Sequence, residues 1–139
     1  MFLDIQLKKT IGDFHLDVAG TLSERRTGIF GPSGSGKSTL MNLLAGLTTA
    51  DSGYIKLDDQ LFFDNAQNIN VKPDKRRIGV VFQHANLYPH MSVRQYVLYG
   101  FKRTSPENRR IVPEDLFQIL GISSLLRRKV DNLSGGERP

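Results

Sequence analysis

The chain has 139 residues, which fits one domain large enough to bury a core. It contains no cysteine, which excludes disulfide frameworks and thiolate metal sites. The net charge of +5 is uneven: residues 1–71 carry 6 Lys/Arg against 8 Asp/Glu, whereas residues 72–139 carry 13 against 6.

The basic second half has two interpretations. It could bind an anionic partner such as nucleic acid, or it could be a solvated helical surface. We favour the solvated surface, because the Lys-Arg pairs are scattered and are not interleaved with stacking aromatic residues.

The first half of the chain reads as mixed α/β. Alternating apolar and polar residues predict strands at Phe2–Leu7 and Phe14–Val18, and Tyr54–Leu57 predicts another. Gly28–Phe30 is a short apolar run, interpreted as a strand that feeds a glycine-rich loop. The leucine spacing over Gly36–Ala45 predicts a helix, with Gly46 as its C-terminal cap.

Ile78–Phe82 is an apolar β-branched run that predicts a strand buried on both faces and ending at Gln83. The pattern then becomes helical. Ser92–Gln95 is a capping box for a helix to about Tyr99. Pro113 opens a second helix that stops at Gly121, and Ile122–Arg128 predicts a further short helix. The stretch Lys102–Arg110 is predicted to be a surface loop.

The strongest chemical signal is the pattern Gly-x-x-x-x-Gly-Lys-Ser, placed between a predicted strand and a predicted helix. Its glycines let backbone N–H groups converge on a phosphate, and the helix N-terminus adds partial positive charge. We expect Lys37 to reach the β- and γ-phosphates and the Ser38 hydroxyl to coordinate Mg²⁺. The predicted phosphate cradle consists of Gly31, Pro32, Ser33, Gly34, Ser35, Gly36, Lys37, Ser38 and Thr39.

A second motif stands near the end of the chain: Leu133, Ser134, Gly135, Gly136 and Glu137. Ser134 and Glu137 have the spacing of a capping box, so the segment would open a helix aimed at an anion. Together with the phosphate loop, this motif resembles those of the ATP-binding-cassette (ABC) transporter ATPases. The resemblance implies that these five residues reach ATP held by the opposite subunit of a head-to-tail homodimer.

Two further stretches resemble the family. Gln83 resembles its Q-loop glutamine, which implies contact with Mg²⁺ and the attacking water, and a catalytic role shared with Lys37. The Tyr88–Val93 region resembles the importer subgroup, where it implies docking of a transmembrane permease subunit. Residues 76–83 and 87–100 together look most like the molybdate-type oxyanion importers.

The resemblance implies an α/β fold of the P-loop NTPase, ABC type, in which the central sheet is incomplete. The expected organisation is a partial catalytic core with Walker A and Q-loop at 1–83, a mostly helical subdomain at 84–133, and the start of the signature helix at 134–139. The implied function is the ATP-binding subunit of an importer that uses ATP and Mg²⁺. Such a subunit would be cytoplasmic and peripheral at the inner face of the membrane through the permease, with no direct nucleic-acid binding.

The resemblance covers only the front portion of the family's domain. The Walker B Asp, the adjacent catalytic Glu and the switch His would follow the signature helix, and a proline at position 139 would disrupt that helix. We therefore expect a truncated or frameshifted end, with Ile29 and Phe30 on an uncovered sheet edge. The family's adenine-stacking aromatic also has no clear counterpart: Ile11 cannot stack, and Phe14 is the other candidate.

The 139-residue chain alone should show negligible steady-state ATPase activity, because water attack needs a positioned base as well as phosphate binding. The measurement is phosphate release by the purified chain. Turnover comparable to that of intact cassettes, and lost in Lys37→Ala, would contradict this expectation.

Overall fold

The computed structural model describes residues 2–82 and 87–134 of the chain. These divide into two units, Met1–Val80 and Val81–Pro139. The first contains a sheet with two helices, and the second is helical. The α/β class expected from the sequence is confirmed.

The first unit is built on a five-stranded antiparallel sheet of order β2-β1-β3-β4-β5. Its strands are β1 (Leu3–Ile11), β2 (Phe14–Leu22), β3 (Ser52–Leu57), β4 (Gln60–Asp64) and β5 (Ile69–Asn70). β1 and β2 form a hairpin in which Ile11 pairs with Phe14, and β1 pairs on its other side with β3. The strands predicted at the start of the chain and at Tyr54–Leu57 are thus confirmed, and the first two are longer than predicted.

Two helices complete the first unit: α1 (Lys37–Ala45) and the short α2 (Pro73–Arg76). The alternation of β1 and β3 buries Ile5, Leu7 and Ile55 in one core cluster with Leu40 and Leu43 of α1. Leu7, Leu43 and Ile55 are the most deeply buried large side chains of this cluster. Burial of such side chains contributes about 2 kcal/mol each, so these contacts fix where α1 lies on the sheet.

The second unit contains α3 (Val93–Arg103) and α4 (Pro113–Ile119). The Ser92 capping box is confirmed: Gln95 N donates to Ser92 Oγ at 3.3 Å, and Ser92 N donates to Gln95 Oε1 at 2.9 Å. α3 continues one turn beyond the predicted end at Tyr99. The helix predicted for Ile122–Arg128 is wrong in extent, because only a 3₁₀ turn forms there, at Ser123–Leu125. Two more 3₁₀ turns lie at Pro106–Asn108 and Val130–Asn132.

The strand predicted at Ile78–Phe82 is wrong. Its described residues form no strand, and Val81 is 93% exposed instead of buried. The run Gly28–Phe30 is not a strand either, and Phe30 is 94% exposed. The physical reason is that a strand needs a hydrogen-bonded neighbour, and every ladder between described strands uses β1–β5 only.

No helix within residues 2–82 and 87–134 has the length and apolarity needed to cross a membrane.

Asp51 joins the end of β1 to the start of β3. Its carboxylate accepts hydrogen bonds from Lys9 Nζ and from Thr10 N, each at 2.7 Å. These hydrogen bonds and the charge of Lys9 lower the pKa of Asp51 below its ordinary value. A carboxyl group with a lowered folded-state pKa stabilises the fold above its unfolded-state pKa, and that stabilisation is lost as the pH falls through the folded-state pKa.

Asp51→Asn should therefore lower the thermal unfolding midpoint at neutral pH. The difference from the wild type should shrink in acid, where the wild-type carboxyl becomes protonated. The measurement is a series of thermal melts across pH, with the exposed Asp59→Asn as the matched control. A deficit in Asp51→Asn that stays constant at acid pH would contradict this assignment.

Candidate functional site

The glycine-rich loop, residues 31–36, leads directly into α1. Gly36 is the N-cap residue of the helix and has φ 91° and ψ 9°, a left-handed conformation that favours glycine. Ser35 N donates to Pro32 O at 3.3 Å, and Leu40 N donates to Gly36 O at 2.8 Å as the first helical bond. The loop is thus a turn closed on itself, followed at once by a helix.

Lys37 is held over this loop. Its ammonium donates to Gly31 O at 2.8 Å, to Pro32 O at 2.7 Å and to Ser35 Oγ at 3.4 Å. An ammonium has three donors, and the contact to Ser35 is the longest of the three. An arriving anion could therefore exchange with Ser35 at the lowest cost while the two carbonyl contacts keep the ammonium in place.

The first turn of α1 is electrostatically open to an anion. It contains no acidic residue, and no side chain caps its N–H groups. The amides that precede the first helical bond, together with the Lys37 charge, create a positive potential at this helix end. Ser38 lies in the same turn, so its hydroxyl belongs to the same end of the helix.

Gly36 also packs closely against β2. A Cβ built on Gly36 would lie 2.7 Å from Phe14 Cζ and 3.0 Å from Leu16 Cδ1. Sequence reasoning missed this contact, because nothing in the motif states which strand the loop touches. The Phe14 ring, left open as a base-stacking candidate, thus lies beside the loop, whereas Ile11 is 50% exposed.

The other predicted site residues have different outcomes. Gln83 lies outside the described residues, and so do Gly135, Gly136 and Glu137 of the signature stretch. Leu133 is buried, with its N–H donating to Val130 O at 3.2 Å. Leu133 and Ser134 belong to the second unit, whereas the phosphate loop belongs to the first.

The predicted permease-facing stretch is described from Leu87 onward. Tyr88 is 45% exposed, and its ring centroid lies 5.8 Å from that of Tyr96 and 5.6 Å from that of Tyr99. The stretch is hydrogen-bonded to the segment that contains Arg128 and Val130: Val93 N donates to Arg128 O at 3.0 Å, and Val130 N donates to Met91 O at 3.1 Å. It therefore forms an aromatic surface fixed to the helical unit.

A comparison with known proteins agrees with these features. The family described as "ABC transporter" matches residues 17–139 of the chain. The chain belongs to the ABC transporter family. This membership confirms the resemblance drawn from the two motifs.

The curated relatives include proteins named "Molybdenum import ATP-binding protein ModC". The Rhodospirillum rubrum protein is 40% identical over 136 residues, which are 98% of this chain and 37% of the relative. The Mannheimia succiniciproducens protein is 46% identical over 140 residues, which are 99% of this chain and 38% of the relative. The similarity to molybdate-type importer ATPases is thus confirmed, and the chain spans less than two fifths of the length of these relatives.

Solved structures give the same fold. MJ1267, described as an ATP-binding cassette of an ABC transporter, has a TM-score of 0.70 at 28% identity and is covered over 60% of its length. MJ0796, described as a bacterial ABC transporter cassette in a dimeric structure, has a TM-score of 0.67 at 26% identity and is covered over 65%. Each comparison covers 99% of this chain.

Replacement of Gly36 by alanine should destabilise the fold by about 2 kcal/mol or more. The new Cβ meets both a left-handed backbone and the Phe14 ring. The matched control is Gly20→Ala in β2, where no atom lies within 4 Å of the added Cβ and stability should be unchanged or slightly raised. The measurement is urea denaturation of both variants; equal midpoints would show that the Gly36 contact is not formed.

Proposed function

We propose that this chain is the N-terminal part of the ATP-binding subunit of an ABC-type importer and that its phosphate loop binds ATP with Mg²⁺. The observation that carries the proposal is the Lys37 ammonium, held within 2.8 Å of Gly31 O and Pro32 O at the uncapped start of α1. An anion-binding site is formed where a cation, a glycine-rich turn and the N-terminal amides of a helix lie together.

The roles of the loop residues follow from their chemistry. The amides of Ser35–Thr39 donate to the phosphate oxygens, and Lys37 neutralises charge at the β- and γ-phosphates. No group of three His, Cys, Asp or Glu within residues 2–82 and 87–134 could hold a metal ion. The Ser38 hydroxyl would hold Mg²⁺ together with the nucleotide's own phosphates, since oxygen ligands suit this hard cation.

Magnesium, when bound, would offset negative charge on the transferring phosphoryl group. Gln83 is proposed to contact Mg²⁺ and the attacking water. Leu133, Ser134, Gly135, Gly136 and Glu137 are proposed to reach the ATP of a second, head-to-tail copy. These residue roles come from the family resemblance.

The proposed partner is a transmembrane permease, received at the Tyr88–Val93 region, and the proposed solute is a molybdate-type oxyanion. The partly exposed Tyr88 side chain supports this docking role, since aromatic residues are enriched in protein interfaces. Beside it lies a shallow cavity of about 270 Å³, lined by His90, Met91, Gln95, Tyr99, Lys102 and Arg103. The subunit would then work at the inner face of the membrane.

Two alternatives have weaker support. The first is a nucleotide-binding fragment without hydrolysis, since water attack needs a positioned base in addition to phosphate binding. The second is a nucleic-acid-associated ATPase, which would use aromatic rings for base stacking if it bound single strands. Two rings of the helical unit are already covered by cations: Arg103 Cζ lies 3.6 Å from the Tyr99 centroid, and Arg109 Cζ lies 4.6 Å from that of Phe101.

Lys37→Ala should weaken binding of a fluorescent ATP analogue by about tenfold or more, because the main cation at the phosphate site is lost. The matched control is Lys56→Ala, which removes an exposed lysine from β3. The measurement is a fluorescence titration with Mg²⁺, checked by circular dichroism for equal folding. Equal affinities for Lys37→Ala and the wild type would refute the phosphate-site assignment.

A further inference from the structure

Arg76 is a charged residue inside the first unit. It is 4% exposed, and its guanidinium donates four hydrogen bonds. Nη1 donates to Leu43 O and Leu44 O at 2.9 Å each, Nε donates to Val71 O at 2.9 Å, and Nη2 donates to Asn70 Oδ1 at 3.2 Å. One side chain thus ties the last turn of α1 to β5 and to the residue that follows it.

The charge of Arg76 is balanced by the helix rather than by an acid. None of the ion pairs between described residues includes Arg76. Its two contacts on α1 are carbonyls at the negative end of the helix dipole, where a cation is favourable. Burial lowers the pKa of the Arg76 guanidinium, but an arginine still remains charged at neutral pH.

The helix end is shaped to receive this side chain. Gly46 has φ 77° and ends α1. A Cβ at Gly46 would lie 2.7 Å from Arg76 Nε. Only a residue without a side chain therefore lets the guanidinium reach the carbonyls of Leu43 and Leu44.

The first unit ends at Val80, four residues after Arg76. Arg77 is exposed and has φ 56°, a left-handed conformation that is unfavourable for a residue with a side chain. Residues 78–82 follow without secondary structure, and the boundary between the units lies between Val80 and Val81. Arg76 thus bonds to the end of α1 and directly precedes residues 77–82, which span the boundary between the units.

We infer that Arg76 is a positioning residue that fixes α1 and passes nucleotide binding at the start of α1 to residues 77–82. The helix is short and packed on the sheet through Leu40 and Leu43, so it moves as one piece. A displacement of its first turn on nucleotide binding therefore also displaces its last turn. The hydrogen bonds of Arg76 to that last turn then displace residues 77–82, which follow Arg76 directly. By linkage, the factor by which nucleotide shifts the conformational equilibrium of residues 77–82 equals the factor by which that shift alters nucleotide affinity. The transmission step rests on the nucleotide binding proposed above.

The test compares Arg76→Lys with Arg77→Lys by amide hydrogen exchange. Lysine keeps the charge but lacks the planar guanidinium that bonds the carbonyls of Leu43, Leu44 and Val71 at the same time. The reporter amides are Gly46 N and Leu47 N, which donate to Leu43 O and Asn42 O, and those of residues 77–82. Without nucleotide, Arg76→Lys should speed exchange at Gly46 and Leu47 by about tenfold. Arg77→Lys, the matched neighbour, should leave it unchanged.

Amides of the β1–β2 hairpin report whether each variant is folded. If Arg76→Lys does not fold, Asn70→Ala decides the question, because it removes only the Nη2 contact of Arg76. Faster exchange at Gly46, Leu47 and 77–82 in Asn70→Ala would support the inference. Unchanged exchange there, or equal rates in Arg76→Lys and Arg77→Lys, would overturn it.

Addition of Mg-ATP then tests the transmission. In the wild type, exchange should slow at both 31–40 and 77–82, whereas in Arg76→Lys it should slow only at 31–40. Slowing at both segments in Arg76→Lys would overturn the transmission and leave nucleotide binding intact. No slowing at 31–40 in the wild type would overturn nucleotide binding and the transmission together, while the nucleotide-free experiment still decides whether Arg76 holds the helix.

Discussion

The packing of α1 on the antiparallel sheet is the constraint on which the candidate site depends. Leu40 and Leu43 bury against Ile5, Leu7 and Ile55, so the direction of the helix is set by the strands β1 and β3. The phosphate loop has little core of its own, since residues 31–35 are exposed. The position of the loop is therefore set by α1, the helix that follows it.

The two ends of α1 are treated in opposite ways. The start has no acid and no side-chain cap, and it holds Lys37, so its positive character is left available to a ligand. The end is closed from within the protein by the Gly46 amide, which donates to Leu43 O, and by the Arg76 guanidinium. A helix satisfied at one end and open at the other is suited to bind an anion at the open end.

Local patterns predicted much of this arrangement, while the predictions that were wrong or missed depend on distant partners. The β1–β2 alternation, the leucine spacing of α1 and the Ser92 capping box each depend on neighbours within a few residues, and each was confirmed. Ile78–Phe82 has strong β propensity, yet propensity alone cannot supply a neighbouring strand. Sequence reasoning did not single out Arg76, because local sequence alone does not show whether an arginine is buried. Its carbonyl partners on α1 lie more than thirty residues away along the chain.

The missed contacts of Arg76 and Phe14 explain how the loop can be held when the segment before it is not a strand. Phe30 is almost fully exposed, so the chain that enters the loop has little packing. The loop is supported instead by three contacts. The Phe14 ring of β2 packs at Gly36, the leucines of α1 pack on the sheet, and Arg76 bonds to the far end of α1. The geometry of the phosphate site is therefore set by residues that follow the loop, together with β1 and β2, which precede it.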